Sequence, residues 1–335
     1  MRYRQLGKTG LWVSVIGFGG IPIQRVDNQT AMQLVNRALN LGINFFDTAR
    51  GYTDSETKLG LVLRERQQEA IIATKSMART REEMARDIEK SLQALGTEYI
   101  DLYQVHNVQH PSVLEQVLNP GGAIEALLDA KKSGVIKHIG ITGHVKDLFK
   151  EALKTGVFET IQLPFNPLES DGIPEILDLA AAHGAGVIIM KPLAGGAIKQ
   201  ADLALKYILE YPISAVIPGM DSLQQVEQNA AVGAGSEGLT PTEMDILYRE
   251  IKELGTTFCR RCGYCQPCPQ GIDIPLVFLL DGYYTRYGLT EWAKERYRAM
   301  KVQPEACTEC RECEDKCPYN LPIHRMLVEA VARLQ

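Results

Sequence analysis

Short apolar runs alternate with longer amphipathic stretches from about residue 15 to residue 231. The runs are rich in β-branched and aromatic residues, as strands are, and the stretches between them carry apolar residues at helical spacing, for example at Ala31, Leu34 and Val35. This alternation is typical of repeated βα units around a parallel sheet. Eight strands are predicted, at residues 15–18, 43–46, 71–74, 99–105, 136–141, 160–163, 187–190 and 215–217. Eight units favour a (β/α)8 TIM barrel, an α/β fold, over an open sheet.

Two segments flank this pattern. Residues 3–13 predict a β-hairpin around a Gly-containing turn ahead of the barrel. Residues 233–238 spell G-x-G-x-x-G, but they follow a predicted helix and lead into a capping box that starts at Thr240, so we predict a plain loop rather than a dinucleotide site. We place a domain boundary near residue 238, with the barrel over residues 1–238 and a smaller domain over residues 239–335.

Composition narrows the class of protein. Of the 335 residues 45% are apolar and 23% are charged, which is typical of soluble globular proteins and excludes a disordered chain. The net charge of −5 and the lack of a long basic run argue against a nucleic-acid partner. No apolar stretch reaches the ~18–20 residues of a membrane span and the N-terminus does not resemble a signal peptide, so we expect a cytoplasmic protein without membrane contact.

All eight cysteines lie in the predicted C-terminal domain, which favours metal ligation over disulfides in a reducing compartment. They form two groups, Cys259, Cys262, Cys265 and Cys268 before Pro269, and Cys307, Cys310, Cys313 and Cys317 before Pro318. Three Cys at three-residue steps followed by Cys-Pro is the bacterial ferredoxin signature for a [4Fe–4S] cluster. The residues between the groups, 269–306, predict helices, so we expect a small, mainly helical, ferredoxin-like iron–sulfur domain with two clusters.

In two-cluster ferredoxins the fourth Cys of each motif ligates the other cluster. We therefore predict one cluster on Cys259, Cys262, Cys265 and Cys317, and a second on Cys307, Cys310, Cys313 and Cys268. The first motif has two residues before its last Cys where the ferredoxin pattern has three. The alternative is a pair of four-cysteine zinc sites, although zinc does not account for the third Cys and the Cys-Pro of each group.

Polar side chains end three consecutive predicted strands of the barrel. Asp47, Lys75 and His106 each follow an apolar run, and Tyr52 lies in the loop after Asp47. Each residue alone also fits a structural role, such as a cap, a rim aromatic or a buried histidine. Because the chemistry of a (β/α)8 barrel lies where its strands end, we predict that the four residues share one acid–base site.

These residue types suit proton transfer to a carbonyl oxygen. A phenol titrates near ~10, and a neighbouring ammonium lowers that pKa by stabilising the phenolate. Tyr52 fits the acid, Lys75 the ammonium, and Asp47 the carboxylate that holds it. His106 fits a hydrogen-bonding group that orients the substrate carbonyl.

The four residues and the segments around them resemble the aldo-keto reductase family. Residues 46–49 with Tyr52, residues 73–75 and residues 102–106 match that family's Asp-Tyr-Lys-His tetrad, and the likeness covers about residues 1–232. The resemblance implies a nicotinamide-dependent oxidoreductase that transfers hydride between NAD(P)H and an aldehyde, ketone or alcohol, a small-molecule substrate.

The resemblance also implies a set of cofactor contacts at the barrel mouth. They are Thr142, Gly143, Gln162, Lys191, Leu193, Gly195, Gly196, Gly219, Ser222, Gln225, Gln228 and Asn229. Residues 219–225 carry neither the Lys nor the Arg with which many NADP-specific members hold the 2′-phosphate, so both NADP and NAD stay open.

Two other functions remain open. The barrel could serve only to bind the nicotinamide cofactor while the protein exchanges electrons with a redox partner protein, an idea that rests on the cysteine-rich tail. Against it, hydride carries two electrons and a [4Fe–4S] centre one, and the sequence shows no flavin fingerprint. In the other alternative Lys75 forms a Schiff base in an aldolase-like barrel.

Overall fold

A computed structural model describes residues 1–235, 238–254, 257–259, 265–285, 287–317 and 319–335 of the chain. The described residues divide into two compact units. The first unit comprises Met1–Ala194 and Gln200–Leu247, and the second comprises Gly195–Lys199 and Tyr248–Gln335.

The first unit is a (β/α)8 barrel, as predicted. Its N-terminal hairpin pairs β1 (Tyr3–Gln5) with β2 (Trp12–Ser14). The barrel strands are β3 (Phe18–Gly19), β4 (Phe45–Asp47), β5 (Ile71–Ser76), β6 (Ile100–Val108), β7 (Ile136–Gly143), β8 (Thr160–Pro164), β9 (Gly186–Met190) and β10 (Ala215–Val216). They are parallel and follow one another in chain order. The bridges Ile16 to Val216 and Gly19 to Gly219 join the last strand to the first.

Amphipathic helices surround these strands. They are α1 (Asn28–Asn40), α2 (Ser55–Leu63), α3 (Arg81–Leu95), α4 (Pro111–Leu118), α5 (Ala123–Lys132), α6 (Lys146–Lys154), α7 (Ile173–His183), α8 (Ala201–Leu209), α9 (Leu223–Ala234) and α10 (Pro241–Leu254), the last of which continues into the second unit. Side-chain hydrogen bonds cap the N-termini of several helices. Thr80 and Glu83 form a reciprocal capping box on α3, and Thr240 and Glu243 form the predicted one on α10.

The segment with the G-x-G-x-x-G pattern begins inside a helix rather than in a loop. Gly233 and Ala234 complete α9, whereas Ser236 and Glu237 lie outside the described residues. None of the helices in the described part of the chain has the length and apolar character that a bilayer crossing requires.

Inward-facing side chains arrange the barrel interior in layers. Phe45, Leu102 and Ile188 belong to one buried apolar cluster that also contains two residues of the hairpin, Leu6 and Val13. Two residues further along two of these strands the inward positions turn polar, at Asp47 on β4 and Gln104 on β6. The hairpin therefore seals the apolar end of the barrel, and the polar layer lies toward the carboxyl ends of the strands.

The hairpin fits closely against β9. Gly7 has a φ of +56°, and a Cβ atom on it would lie 2.2 Å from the backbone nitrogen of Gly186. Neither the backbone angle nor the space suits a side chain, so a glycine is required in this turn. The predicted hairpin is thus part of the barrel's structure.

The second unit is mainly helical. Its further helices are α11 (Ile274–Thr285), α12 (Thr290–Arg298), α13 (Glu312–Asp315) and α14 (Ile323–Leu334). They enclose an apolar core that includes Val277, Leu280, Leu327 and Leu334. Cys265 and Cys317 are buried in that same core. The helices predicted between the two cysteine groups therefore pack with the cysteines themselves.

Leu6→Ala should destabilise the barrel, because Leu6 is fully buried in the cluster that seals its apolar end. We expect the free energy of unfolding to fall by about 2–5 kcal/mol, from lost apolar transfer plus the cavity. Urea unfolding followed by circular dichroism measures it. Gln5→Ala, at the exposed end of β1 next to Leu6, should change the free energy by less than about 0.5 kcal/mol. Equal effects of the two substitutions would contradict the role of the hairpin.

Candidate active site and cysteine sites

The carboxyl ends of three neighbouring strands bring the predicted acid–base residues together. Asp47 is the last residue of β4, Lys75 lies near the end of β5, and His106 lies near the end of β6. Tyr52 follows in the loop between β4 and α2. The structure places all four at one end of the barrel, on consecutive units.

Asp47 and Lys75 form a buried ion pair. Lys75 Nζ donates to Asp47 Oδ1 at 2.6 Å and to the carbonyl oxygen of Thr48 at 2.8 Å. The two side chains are only 3% and 1% exposed. Burial raises the pKa of Asp47 and lowers the pKa of Lys75, and the mutual attraction and hydrogen bond oppose both shifts. The ammonium is therefore held at one point beneath the barrel mouth.

Tyr52 lies over this ion pair. The centre of its ring is 5.1 Å from Lys75 Nζ, and it meets the His106 imidazole edge to face with ring centres 6.0 Å apart. Backbone bonds tie the loop to β5, because the amides of Thr48 and Arg50 donate to the carbonyl oxygens of Ala73 and Lys75. The aromatic ring thus lies close to both the ammonium and the imidazole.

A bulge in β6 orients His106. The register between β6 and β7 shifts between Val105 and Val108, and Asn107 has a φ of +57°. Arg79 Nη2 donates to the carbonyl oxygens of His106 and Asn107 at 2.7 and 3.2 Å. Bulges commonly redirect side chains beside active sites, and here the Arg79 guanidinium binds the backbone of the bulge.

The surroundings keep the His106 imidazole neutral. Burial lowers the pKa of His106 well below 6.5, and the positive charges of Lys75, Arg79 and Lys191 lower it further. Its Nδ1 atom is buried and accepts or donates no hydrogen bond within the described part of the chain. A neutral imidazole can donate from one nitrogen and accept at the other.

Several polar residues that support the site were missed by the sequence analysis. Gln104 Nε2 approaches Asp47 Oδ2 at 3.4 Å, so it is a further partner of the carboxylate. Glu56 is 2% exposed, accepts from Thr74 Oγ1 at 2.7 Å and pairs with Arg50. In the sequence Gln104 is only a polar residue in an apolar strand and Glu56 only a glutamate in the first turn of α2, and many surface residues have the same features.

The residues predicted to contact a nicotinamide ring line the barrel at β7 and β8. Thr142 is 1% exposed, and its Oγ1 accepts from the amide of Asn107 at 2.9 Å. Gln162 Oε1 accepts from Gln104 Nε2 at 2.9 Å. At Gly143 a Cβ would lie 2.6 Å from the carbonyl oxygen of Val108. Gln162 is therefore part of the polar network that supports Asp47, whereas Thr142 binds the backbone of β6 at Asn107.

Lys191 belongs to a hydrogen-bonded chain that the sequence analysis did not foresee. Lys191 Nζ lies 2.8 Å from His144 Nε2, and His144 Nδ1 lies 3.2 Å from Asn107 Oδ1. Lys191 has a φ of +55° directly after β9. This chain links the end of β9 to the residue that follows His106.

The remaining predicted cofactor residues follow β9 and β10. Ser222 is the N-cap of α9, and its side chain accepts from the amide of Gln225. Asn229 is buried, Gln228 is exposed, and Leu193 is half-buried. The turn at Gly219 is tight, because a Cβ there would lie 2.5 Å from Pro22 Cγ. Gly195 and Gly196 both have positive φ and belong to the second unit.

The cysteines of the second unit occupy two settings. Cys268, Cys307, Cys310 and Cys313 line a single cavity, which is the set assigned to the second cluster by sequence. Of the other set, Cys265 and Cys317 are buried, Cys259 is half-buried, and Cys262 lies outside the described residues. No disulfide joins any two of the seven described cysteines.

A histidine that sequence reasoning did not single out faces the same cavity. His324 Nδ1 lies 3.8 Å from Cys307 Sγ, and its backbone amide donates to Glu314 Oε1 at 2.9 Å. The contact between imidazole and thiol joins α14 to the second cysteine group.

Each of the two domains predicted from the sequence matches a known protein family. Residues 15–202 match the family model of the aldo/keto reductase family, and residues 258–322 match that of a 4Fe-4S dicluster domain. L-galactose dehydrogenase from Arabidopsis thaliana is 30% identical over 307 residues, which cover 75% of this chain and 95% of that protein. The NADH-specific methylglyoxal reductase of Escherichia coli is 26% identical over 214 residues and covers 57% of this chain, with 65% of that protein matched.

A solved structure shows the same likeness. The holo form of an aldo-keto reductase from Bacillus halodurans has a TM-score of 0.66 and 27% sequence identity to this chain. The match covers 76% of this chain and 96% of that one.

Asp47→Asn should destabilise the barrel, because it leaves the buried Lys75 without a counter-charge. We expect the free energy of unfolding to fall by about 3–5 kcal/mol, and the double variant Asp47→Asn/Lys75→Met to recover most of that loss. Denaturant unfolding at pH 7 measures both. Glu151→Gln, which breaks an exposed pair with Lys154, serves as the control and should cost no more than about 1 kcal/mol. No recovery in the double variant would contradict the coupling of the pair.

Proposed function

Because this chain belongs to the aldo/keto reductase family of oxidoreductases and carries a C-terminal 4Fe-4S dicluster domain, we propose that it transfers hydride between NAD(P)H and a carbonyl or alcohol substrate. The observation that carries the proposal is the position of the Tyr52 ring, whose centre lies 5.1 Å from Lys75 Nζ and 6.0 Å from the centre of the His106 ring. This arrangement suits proton transfer to an aldehyde or ketone oxygen.

Each member of the group has a distinct role in the proposal. Tyr52 donates its phenolic proton to the carbonyl oxygen during reduction and takes it back during alcohol oxidation. Lys75 stabilises the phenolate that results, and Asp47 keeps the ammonium charged and in place through their 2.6 Å contact. Asp47 and Lys75 are therefore positioning residues, and Tyr52 is the residue that touches the reacting oxygen.

His106 orients the substrate in this proposal. Its neutral state, supported by burial and three nearby cations, leaves it as a hydrogen-bonding group rather than a competing acid. The buried Nδ1 that has no partner among the described residues fits an imidazole whose hydrogen bonding is completed by a bound molecule.

The nicotinamide cofactor, when bound, supplies or accepts the hydride. Residues at the ends of the last strands fit its phosphates, since phosphate sites of (β/α)8 barrels lie after the seventh and eighth strands. We assign its binding to Thr142, Gly143, Gln162, Lys191, Leu193, Gly195, Gly196, Gly219, Ser222, Gln225, Gln228 and Asn229. Thr142 and Gln162 would hold its nicotinamide side, and the N-capped start of α9 would hold its adenosine side.

The geometry of Lys75 argues against Schiff-base chemistry. Its Nζ already donates to a carboxylate and to a backbone carbonyl, and its side chain is 1% exposed. A nucleophilic lysine must present a neutral amine to the substrate. The aldolase alternative is therefore not supported.

We further propose that the dicluster domain binds two [4Fe–4S] clusters on eight cysteines, as the crossed ligand sets predict. The cavity that Cys268 shares with Cys307, Cys310 and Cys313 supports the crossing of the fourth ligand. The 4Fe-4S match over residues 258–322 favours clusters over zinc. The exposure of Cys310 supports electron exchange with a redox partner protein as a second role.

Tyr52→Phe removes only the hydroxyl group, so it should lower kcat for aldehyde reduction by about 10²–10⁴-fold while Kd for NAD(P)H changes little. Steady-state oxidation of NADPH and NADH with a panel of aldehydes measures turnover, and fluorescence titration measures binding. Tyr99→Phe makes the same change just before β6, at the opposite end of that strand from His106, and should leave kcat unaltered. Unchanged turnover in Tyr52→Phe would reject the mechanism.

Single Cys→Ala substitutions test the ligand sets. Cys268→Ala and Cys310→Ala should each reduce iron from about eight to about four atoms per chain, and both should retain the same cluster by EPR. Cys259→Ala and Cys317→Ala should instead retain the cluster that is lost in Cys268→Ala and Cys310→Ala. Thr308→Ala, beside the same cavity, should keep both clusters after anaerobic purification. Cys268→Ala giving the spectrum of Cys259→Ala would reject the crossing, and zinc without iron would reject the clusters.

A further inference from the structure

An ion pair joins the segment after the first barrel strand to the loop after the last barrel strand. Arg25 follows β3, and its Nε lies 2.5 Å from Oδ2 of Asp221, in the loop between β10 and α9. The two side chains are each 20% exposed, so the pair is partly shielded from water. The acid–base group does not use either residue.

The segment that carries Arg25 is held firmly in place. Lys58 Nζ donates to the carbonyl oxygens of Ile23 and Gln24, both at 3.2 Å. Pro22 contacts the tight turn at Gly219, where an added Cβ would lie 2.5 Å from its ring. The guanidinium therefore approaches Asp221 from a fixed backbone.

Asp221 lies directly before the start of α9. Its amide donates to Gln225 Oε1 at 2.8 Å, and the next residue, Ser222, is the N-cap of the helix. Under the function proposed above, on which this inference rests, the loop after the eighth strand receives the adenosine end of the cofactor. The carboxylate is thus beside the place where NADP(H) carries its additional 2′-phosphate.

We propose that Asp221, through its charge and its ion pair with Arg25, makes the site select NAD(H) over NADP(H). Residues 217–229 contain no Lys, Arg or His, and their acidic residues are Asp221 and Glu227. Glu227 is paired on the helix surface with Arg37 at 2.8 Å. The loop itself thus offers a 2′-phosphate no cation.

Two physical effects favour the cofactor without the phosphate. A phosphate dianion next to the Asp221 carboxylate is repelled, most strongly where water is partly excluded. Arg25 is paired with Asp221, so moving its guanidinium to a phosphate would take that partner away from the Asp221 carboxylate. A ribose 2′-hydroxyl, in contrast, can donate a hydrogen bond to the carboxylate while the ion pair stays intact.

Calorimetric titration of the full-length protein with NADH, NADPH, AMP and adenosine 2′,5′-bisphosphate tests the selectivity, the last two ligands without any contribution from catalysis. The wild type should bind NADH at least about 10-fold more tightly than NADPH. Asp221→Asn should tighten NADPH and the bisphosphate by about 10-fold and change NADH by less than about threefold, because Arg25 becomes available to the phosphate.

The double variant Asp221→Asn/Arg25→Met should lose the gain for the phosphorylated ligands. Glu227→Gln removes the same charge from the second turn of α9 and should leave the NADH to NADPH ratio within about twofold of the wild type. A wild type that prefers NADPH, or an Asp221→Asn variant with an unchanged ratio, would overturn the inference while leaving the reductase proposal intact. Failure to bind either dinucleotide would instead reject the proposed function on which it rests.

Discussion

The ion pair between Asp47 and Lys75 is the constraint around which the candidate active site is arranged. Two charges that are almost entirely removed from water are tolerated only when both are paired and hydrogen-bonded. Gln104 and the carbonyl oxygen of Thr48 provide the additional partners. The loop that follows Asp47 must therefore remain tied to β5, and that loop positions Tyr52.

The layering of the barrel makes such a pair possible. Below it, Phe45, Leu102 and the hairpin residue Leu6 fill the interior with apolar side chains, so water does not reach the charges from that end. Above it, the bulge in β6 and the guanidinium of Arg79 direct His106 toward Tyr52. The scaffold thus excludes water from one side of the ammonium and leaves the other side for a phenol and its substrate.

The core of the second unit differs from that of the barrel in the residues that form it. Its apolar core is formed by helices α11, α12 and α14 together with buried cysteines, so two of the proposed cluster ligands, Cys265 and Cys317, are also core residues. For a unit of this kind, ligation of the proposed clusters would contribute to folding as well as to electron transfer. The first 258 residues contain no cysteine. The barrel therefore contributes no cysteine ligand to the proposed clusters.

The sequence alone predicted the order of eight strands, the four residues proposed for the acid–base site and the grouping of the cysteines. Those features depend on local periodicity and on fixed spacing, which a single chain displays directly. The first barrel strand is displaced, because the structure has it at Phe18–Gly19 and not over residues 15–18. The tertiary structure alone decided that Gln104 supports Asp47, that Glu56 fastens the loop of Tyr52, and that Arg25 meets Asp221. Arg25 and Asp221 lie nearly two hundred residues apart and become neighbours only because the barrel closes. Partnerships of this kind depend on strand register and barrel closure, and neither has a signature in the local order of residues.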